Sequence, residues 1–322
     1  METTFNEILQ KIDNDVALTK DDAISLLKID VTSNDFYTLL AKSNEMSRRK
    51  FGEKGYIFAQ IGLNAEKCSG NCKFCSLACD NFSMESVYTP TDDELFETVK
   101  RLNYDDLDSL FLMTTADFSI ERFLNFAKKV KSYIPSKVNL VANIGDFDDD
   151  TAKKLKDIGF YGFYHICRLR EGIDTDIPLQ RRLDTINFGL KHGLELIYCI
   201  EPIGVEHTYS EIADEMIRAR EFGVKIMAVM GRTSVPHTHF ENSTEIDDLE
   251  LSKICAVTRL VTNPSRSMNV HEPKFTPLLA GINQLYAEIG INPRDTKLET
   301  EKNRGFSIEN VKNMLKSAGY FA

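Results

Sequence analysis

Residues 55–75 read GYIFAQIGLNAEKCSGNCKFC. The first ten of these, GYIFAQIGLN, form an apolar run that reads as a strand. It leads into a loop carrying Cys68, Cys72 and Cys75. The same alternation recurs downstream. LDSLFLMTT (107–115), KVNLVANIG (137–145), YGFYHIC (161–167), LELIYCI (194–200) and VKIMAVM (224–230) read as strands, and SMNVHEP (267–273) and LYAEIG (285–290) bring the number to eight. Between them lie helical patterns: TDDELFETVKRL behind its cap Thr91, a helix near 119–132, DDDTAKKLKDIG, LQRRLDTINFGLKHG, SEIADEMIRAREFG and LELSKICAVTRLV. Strands alternating with helices of about 10–15 residues imply a parallel sheet. Eight repeats favour closure into a barrel over an open sheet. The expected fold class is therefore α/β, a (β/α)8 TIM-type barrel over residues 51–322. It follows an N-terminal extension of short helices over residues 1–50, one of them TKDDAISLL behind Thr19 with an acidic first turn. No low-complexity linker marks a second globular domain.

Parallel barrels place their chemistry at the carboxyl ends of the strands, so the cysteine loop falls on that rim. Three cysteines in eight residues, spaced three and two, can fold around one corner of an iron–sulfur cube. Soft thiolates select iron–sulfur clusters, zinc or Cu(I) over hard metals, and four thiolates are the usual complement of a [4Fe–4S] cluster. No fourth local cysteine fits the repeat, so three ligands would leave one iron open to a small molecule. Phe74 would shield that iron from water. The competing readings are a zinc site, which normally wants four ligands in paired spacing, or three unrelated buried thiols.

The run Cys-Ser-Gly-Asn-Cys-Lys-Phe-Cys resembles the signature of the radical S-adenosylmethionine (SAM) superfamily, which has this spacing and an aromatic residue before the last cysteine. The resemblance implies that SAM chelates the open iron through its amino and carboxylate groups. It also implies that one electron from the cluster cleaves SAM to methionine and a 5′-deoxyadenosyl radical, which abstracts hydrogen from substrate. More diffusely, residues 50–320 are similar to the biotin synthase-like branch. That branch includes biotin synthase, hydrogenase maturases, methylornithine synthase and archaeal-type lipoyl synthases. Asn263–Val270 followed by Ala280–Asn283 is similar to the biotin-and-thiamin-synthesis-associated region.

The resemblance implies roles for further rim residues. After the second strand, Thr114-Thr115-Ala116-Asp117 stands where relatives hold the methionine amino group, often in a Gly-Gly-Glu-like turn. Here Asp117 would supply the anion and Thr114 and Thr115 acceptors; Asp117 could equally cap the next helix. After the fourth strand, Glu171 or Asp174 would bind the ribose of SAM. Arg182 would pair with its carboxylate through two parallel hydrogen bonds, or else is a surface arginine beside Arg181. After the fifth strand, the segment containing Gly204 would pack along adenine, with Glu201 turned to substrate. Met230, Gly231 and Arg232 would complete the adenine side, although core packing is the ordinary role of Met227 and Met230.

The sequence departs from familiar biotin synthases, which bind a second cluster through cysteines on the second, third and fifth strands and a late arginine. Here the second strand offers Leu112 and Met113, the third Val141 and Ala142, and the late strand Asn269 where the arginine is expected, so that cluster is not expected to be built the same way. Cys79, Cys167 and Cys199 are left over. Either they hold a different auxiliary cluster, a potential sulfur donor, or each is a small buried hydrophobe. Cys255, mid-helix, reads as core.

Composition narrows the classes. Lys and Arg total 39 against 49 Asp and Glu, a net charge of −10. That argues against non-specific nucleic-acid or anionic-membrane binding. The acidic, amphipathic start METTFNEILQKIDNDV is unlike a signal peptide. No apolar run approaches the ~18 residues that span a bilayer. Seven cysteines without a secreted-scaffold pattern fit a reducing cytoplasm. The expected partners are a small-molecule or carrier-bound substrate and a low-potential electron donor such as flavodoxin or ferredoxin. Two function classes follow: the leading expectation is hydrogen abstraction coupled to sulfur insertion, as in biotin or lipoyl synthesis, and the alternative is a maturase or rearrangement enzyme without a sulfur donor. The sequence assigns no catalytic acid or base.

Overall fold

The computed structural model describes residues 4–302 and 304–322. Three helices open the chain: α1 (Phe5–Asp13), α2 (Lys20–Leu27) and α3 (Asn34–Phe51). The first two start at capping boxes, in which Thr4 and Thr19 exchange hydrogen bonds with the acid three residues on. The third runs 18 residues, longer than the short helices expected.

Eight strands follow: β1 (Tyr56–Gly62), β2 (Ser109–Met113), β3 (Asn139–Asn143), β4 (Gly162–Tyr164), β5 (Glu195–Ile203), β6 (Ile226–Gly231), β7 (Ser267–His271) and β8 (Gln284–Ile289). All pair in parallel in sequence order, and β8 returns to β1, closing the barrel. The crossovers carry α4 (Asp92–Lys100), α5 (Ile120–Tyr133), α6 (Asp149–Ile158), α7 (Leu179–Lys191), α8 (Tyr209–Glu221) and α9 (Asp248–Thr262). Between β7 and β8 a short 3-10 turn, Thr276–Ala280, replaces a helix, and α10 (Ile308–Ser317) follows β8. Each expected strand is thus present, and the structure is the closed α/β barrel that the alternation implies.

One apolar core runs through barrel and extension: Ile8, Leu26, Phe36 and Leu39 belong to it with the strands. The hydroxyls of Ser43 and Ser47 donate to the carbonyls of Ala280 and Gly281, at 2.6 and 2.7 Å, and tie α3 beneath the β7–β8 turn. Gly281 sits there at φ +84°, and a Cβ would meet Ser47 and Asn44 under 3 Å, so the turn requires glycine. Asn283, from the segment singled out with Ala280–Asn283, accepts from the backbone N–H of Met268 (3.0 Å) and from Arg259 (3.1 Å), locking β7 to β8.

Side chains alternate along each strand. Phe58, Phe111 and Tyr286 face inward and stack in the lower lumen, Phe58 on Phe111 at 4.2 Å and on Tyr286 at 5.2 Å between ring centres. Above them the lumen opens toward the carboxyl rim. Cys255 is fully buried in α9, as core. Among the described residues no helix is long and apolar enough to cross a membrane.

Candidate active site at the carboxyl rim of the barrel

The loop after β1 carries Cys68, Cys72 and Cys75, and neighbouring segments hold it at every turn. Asn71 stands at φ +46°, a conformation asparagine tolerates better than most residues. Its side chain bridges Asp176 (2.9 Å) and the N–H of Asp80 (3.0 Å). The loop after β4 latches on through Lys73, whose N–H donates to the carbonyl of Asp174 and whose ammonium pairs with its carboxylate at 3.1 Å. From the C-terminal side, Ser76 donates its N–H and its hydroxyl to the carbonyl of Pro293, both at 2.9 Å. Ile291 and Leu298 pack with Leu77, Met84, Cys68 and Cys75 in a small apolar cluster of their own.

All three cysteines line one cavity that descends from the rim into the lumen and encloses about 1040 Å³ of empty space, its mouth included. Phe74, Thr114, Thr115, Arg168, Arg182, Glu201 and Met230 line it too. The loop therefore brings three soft donors to one pocket. Burial pushes the Cys72 and Cys75 thiols up, with neighbouring thiols adding to it and Arg168 working against it. Buried neutral thiols beside a cationic guanidinium suit a metal group that takes them as thiolates.

Two arginines reach the pocket on different terms. Arg182, on α7, is only 5% exposed, so it is not a surface arginine. Its Nη1 donates to Asp146 at 3.0 Å, and its Nε lies 3.4 Å from Glu171. His165 bonds the same Asp146 oxygen at 3.0 Å. Burial would raise the Asp146 carboxyl, but His165 and Arg182 outweigh it and hold it at about 2. Burial drives His165 down to about 4, partly offset by Asp146, so the imidazole is neutral. Arg168 has weaker partners: Nε lies 4.0 Å from Glu201 and Nη1 3.7 Å from Glu171, beyond hydrogen-bond range. Both atoms are buried without a hydrogen-bond partner among the described residues. Glu171 and Glu201 offset the guanidinium charge, and the two free N–H groups remain open to hydrogen-bond an incoming anion.

The remaining expected residues are placed as follows. Asp117 does not line the cavity; its carboxylate accepts from the N–H and hydroxyl of Ser69, in the cysteine loop. The cap of α5 is Ser119, so the alternative helix-cap role for Asp117 is corrected. Glu171 lies behind the cavity wall, accepting from the N–H of Arg168 (2.9 Å) and the hydroxyl of Thr175 (2.6 Å). Asp174 is engaged by Lys73. Gly204 packs beneath the Arg232–Glu206 ion pair, where a Cβ would meet the guanidinium at 2.4 Å. Arg232 itself stacks over Phe240 at 4.0 Å.

Cys79, Cys167 and Cys199 do not come together. Cys79 stays beside Cys68 in the rim loop, where its N–H donates to the Cys68 carbonyl. Cys167 turns to Tyr198, Glu215 and Arg218 on the helix side of the strands. Cys199 points into the lumen, next to Glu201 and His271. The strand alternation forces the split, because Tyr198 and Cys199 are adjacent and face opposite ways.

Sequence reasoning missed Asp146, His165 as its partner, and His271. It also missed a charged network of Arg294 and Arg304 with Glu272, Glu288 and Asp295 above the lumen. Arg294 lines the cavity and its Nη2 donates to Tyr286 at 2.9 Å. Burial, with Arg294 adding to it, pushes His271 down to about 3, so it too is neutral.

No protein-family model matches the chain. The biotin synthase of Clostridioides difficile (strain 630) is 24% identical over 270 residues, covering 81% of this chain and 82% of the relative. That of Fusobacterium nucleatum is 24% identical over 322 aligned residues, 94% of this chain and 86% of the relative. The fold is similar to that of methylornithine synthase, at TM-score 0.83 and 20% identity over 98% of this chain and 96% of that one. It is also similar to the FeFe-hydrogenase maturase HydG from Carboxydothermus hydrogenoformans, at TM-score 0.80 and 16% identity over 98% and 78%.

Proposed function

Taking the chain as a radical SAM enzyme of the biotin synthase-like branch, we propose that it abstracts hydrogen from an unactivated C–H of a small anionic substrate held in the barrel lumen. Cys68, Cys72 and Cys75 would hold a [4Fe–4S] cluster, which would supply the electron for cleavage of SAM to methionine and a 5′-deoxyadenosyl radical. The observation that carries the reading is the continuity of one cavity. The three cysteines, Arg168, Arg182, Glu201, His271 and Arg294 all line it.

Each chain residue then has a task. Thr114 and Thr115 offer hydroxyls at the rim, where an ammonium group of SAM would seat. Arg168, with two unsatisfied donors, takes a carboxylate. Arg182 holds Glu171 and Asp146 in place and is the second candidate for that carboxylate. Met230 supplies an apolar wall, and Phe74 keeps water from the cysteines. Gly204 sets the height of the β5 loop by accepting Arg232 against its bare Cα. The stacked Phe58, Phe111 and Tyr286 close the lumen below, so a radical formed there is kept from solvent.

We favour hydrogen abstraction followed by rearrangement or fragmentation over sulfur insertion, because Cys79, Cys167 and Cys199 lie apart. Sulfur insertion remains the second reading on two grounds: the curated relatives named above are biotin synthases, and Cys199 does reach the lumen. The test is anaerobic reconstitution with iron and sulfide, followed by assay of 5′-deoxyadenosine under dithionite. Its absence refutes the radical reading. Dethiobiotin conversion to biotin, or iron and sulfide clearly above one cubane per chain, would decide for sulfur insertion.

A further inference from the structure

Cys199 and Glu201 both face inward from β5, and His271 faces inward from the end of β7. One ligand atom of each, a thiol sulfur, a carboxylate oxygen and a ring nitrogen, lies within 4.8 Å of the others. Cys199 is fully buried, and Glu201 and His271 are each 9% exposed. From this convergence the geometry points to a second metal site in the barrel lumen, separate from the rim cysteines, that binds one borderline-soft divalent ion, zinc or iron(II), without inorganic sulfide.

Several features mark a ligand set. The His271 ring makes no hydrogen bond among the described residues; its Nδ1 stands 3.7 Å from Glu201, close for a shared ion and too far for a hydrogen bond. The ring lines the cavity, so its nitrogens are open to a ligand entering there. Tyr164 donates to Glu201 at 2.6 Å, and so orients the carboxylate as partners of metal ligands do. Thiolate, imidazole and carboxylate together suit zinc or ferrous iron better than magnesium or calcium. Arg168 and Arg294 stand nearby and would oppose a cation. A thiolate and a carboxylate cancel the charge of a divalent ion, so the guanidiniums meet no net positive centre.

Three protein ligands leave a tetrahedral ion with one open position, the pattern of catalytic rather than structural sites. Glu201 and His271 both line the cavity, so that position faces the substrate space. Its occupant would be a small molecule presenting a carboxylate, amine or thiolate. The site would anchor this group while the adjacent carbon meets the rim.

The site can be tested without any assay of SAM cleavage. The full-length protein, its rim cluster reconstituted, is incubated with Zn2+ or Co2+, desalted, and analysed for metals and acid-labile sulfide. We expect one additional divalent ion per chain with no added sulfide. Cobalt should give the visible band of four-coordinate Co(II) and a thiolate-to-cobalt charge-transfer band in the cobalt difference spectrum. Cys199→Ser should lose the charge-transfer band. Glu201→Gln and His271→Gln should each weaken binding at least tenfold, with cluster iron and melting temperature retained as evidence of folding. Wild-type protein that takes up no extra ion overturns the proposal. So does equal binding by all three variants, or extra iron accompanied by matching sulfide, which would be a second cluster. A protein that binds the ion and yields no 5′-deoxyadenosine would retain this site and lose the radical reading.

Discussion

Asp117 grips Ser69 with both carboxylate oxygens: one accepts the backbone N–H and the other the hydroxyl, each at 2.6 Å. The β2–α5 connection thereby holds the residue that follows Cys68. Asp117→Ala should loosen the loop before it alters any ligand contact. The expected result is faster loss of the cluster's visible absorbance to a chelator, with SAM affinity of the intact holoprotein changed less than threefold. A large loss of SAM affinity with normal cluster lifetime would give Asp117 the ammonium-binding role instead.

Replacing any one of Cys68, Cys72 and Cys75 with Ala should abolish both the cluster absorbance and 5′-deoxyadenosine formation. Each supplies one of three rim thiols. A single-alanine variant that still forms the nucleoside under dithionite would refute the ligand assignment.

The two pocket arginines should separate. Arg168 has two buried unpartnered donors, so Arg168→Ala should weaken binding of an anionic ligand, SAM or substrate, by ~2–5 kcal/mol, as when one partner of a buried charge pair is truncated. Stability should change little. Arg182→Ala strands Asp146 and Glu171, and breaking a buried pair costs about 3–5 kcal/mol of stability. Isothermal titration and urea unfolding of the two variants give opposite rankings if this is right.

Acid should destabilise the fold in two stages. Native His165 stays neutral down to about 4, while the unfolded chain takes the proton near ~6.5. Between these values the unfolded state binds more protons, so stability falls as pH falls, by up to about 3 kcal/mol. Below pH ~4 the Asp146 carboxylate, held at about 2, adds a further loss. His165→Gln should reduce the slope of the first stage by the His165 share, leaving that of His271, and should also weaken the second because His165 helps hold Asp146 low, read as urea midpoints between pH 3 and 7. An unchanged slope would mean the imidazole is not held neutral.

Gly62 ends β1, and a Cβ there would lie 2.1 Å from the carbonyl oxygen of Ile291. Gly62→Ala should cost roughly 1–3 kcal/mol or more, the range for overpacking. It should also expose residues 290–302 to proteolysis ahead of the barrel. Simultaneous cleavage throughout would show that this segment is not a separate yielding unit.

The barrel was legible because each strand is a short apolar run bounded by a helix pattern, a local signal. The cysteine motif was legible because its ligands are close in sequence. What stayed hidden depends on distant contacts. Asp146 meets Arg182 across 36 positions, and Cys199 meets His271 from another strand. Cys199 faces inward by the phase of β5, whereas β4 ends at Tyr164, before Cys167, so no strand period places Cys167. The closure of residues 290–302 over the rim has little periodicity to read; it is held by Arg294 and Arg304 on carboxylates of β8 and the residue after β7.

The filled floor of the lumen has a kinetic consequence. Phe58, Phe111 and Tyr286 are each at most 3% exposed, and the residues beneath them, Asn269 and Gln284, are 1% exposed. Traffic must therefore pass the rim. If SAM seats at the cysteines and Arg168, it stands in the doorway of the deeper chamber. Turnover would then be compulsory-order, substrate entering first and SAM second. Excess SAM would trap the empty enzyme in a dead-end complex, seen as inhibition at high SAM that rising substrate relieves.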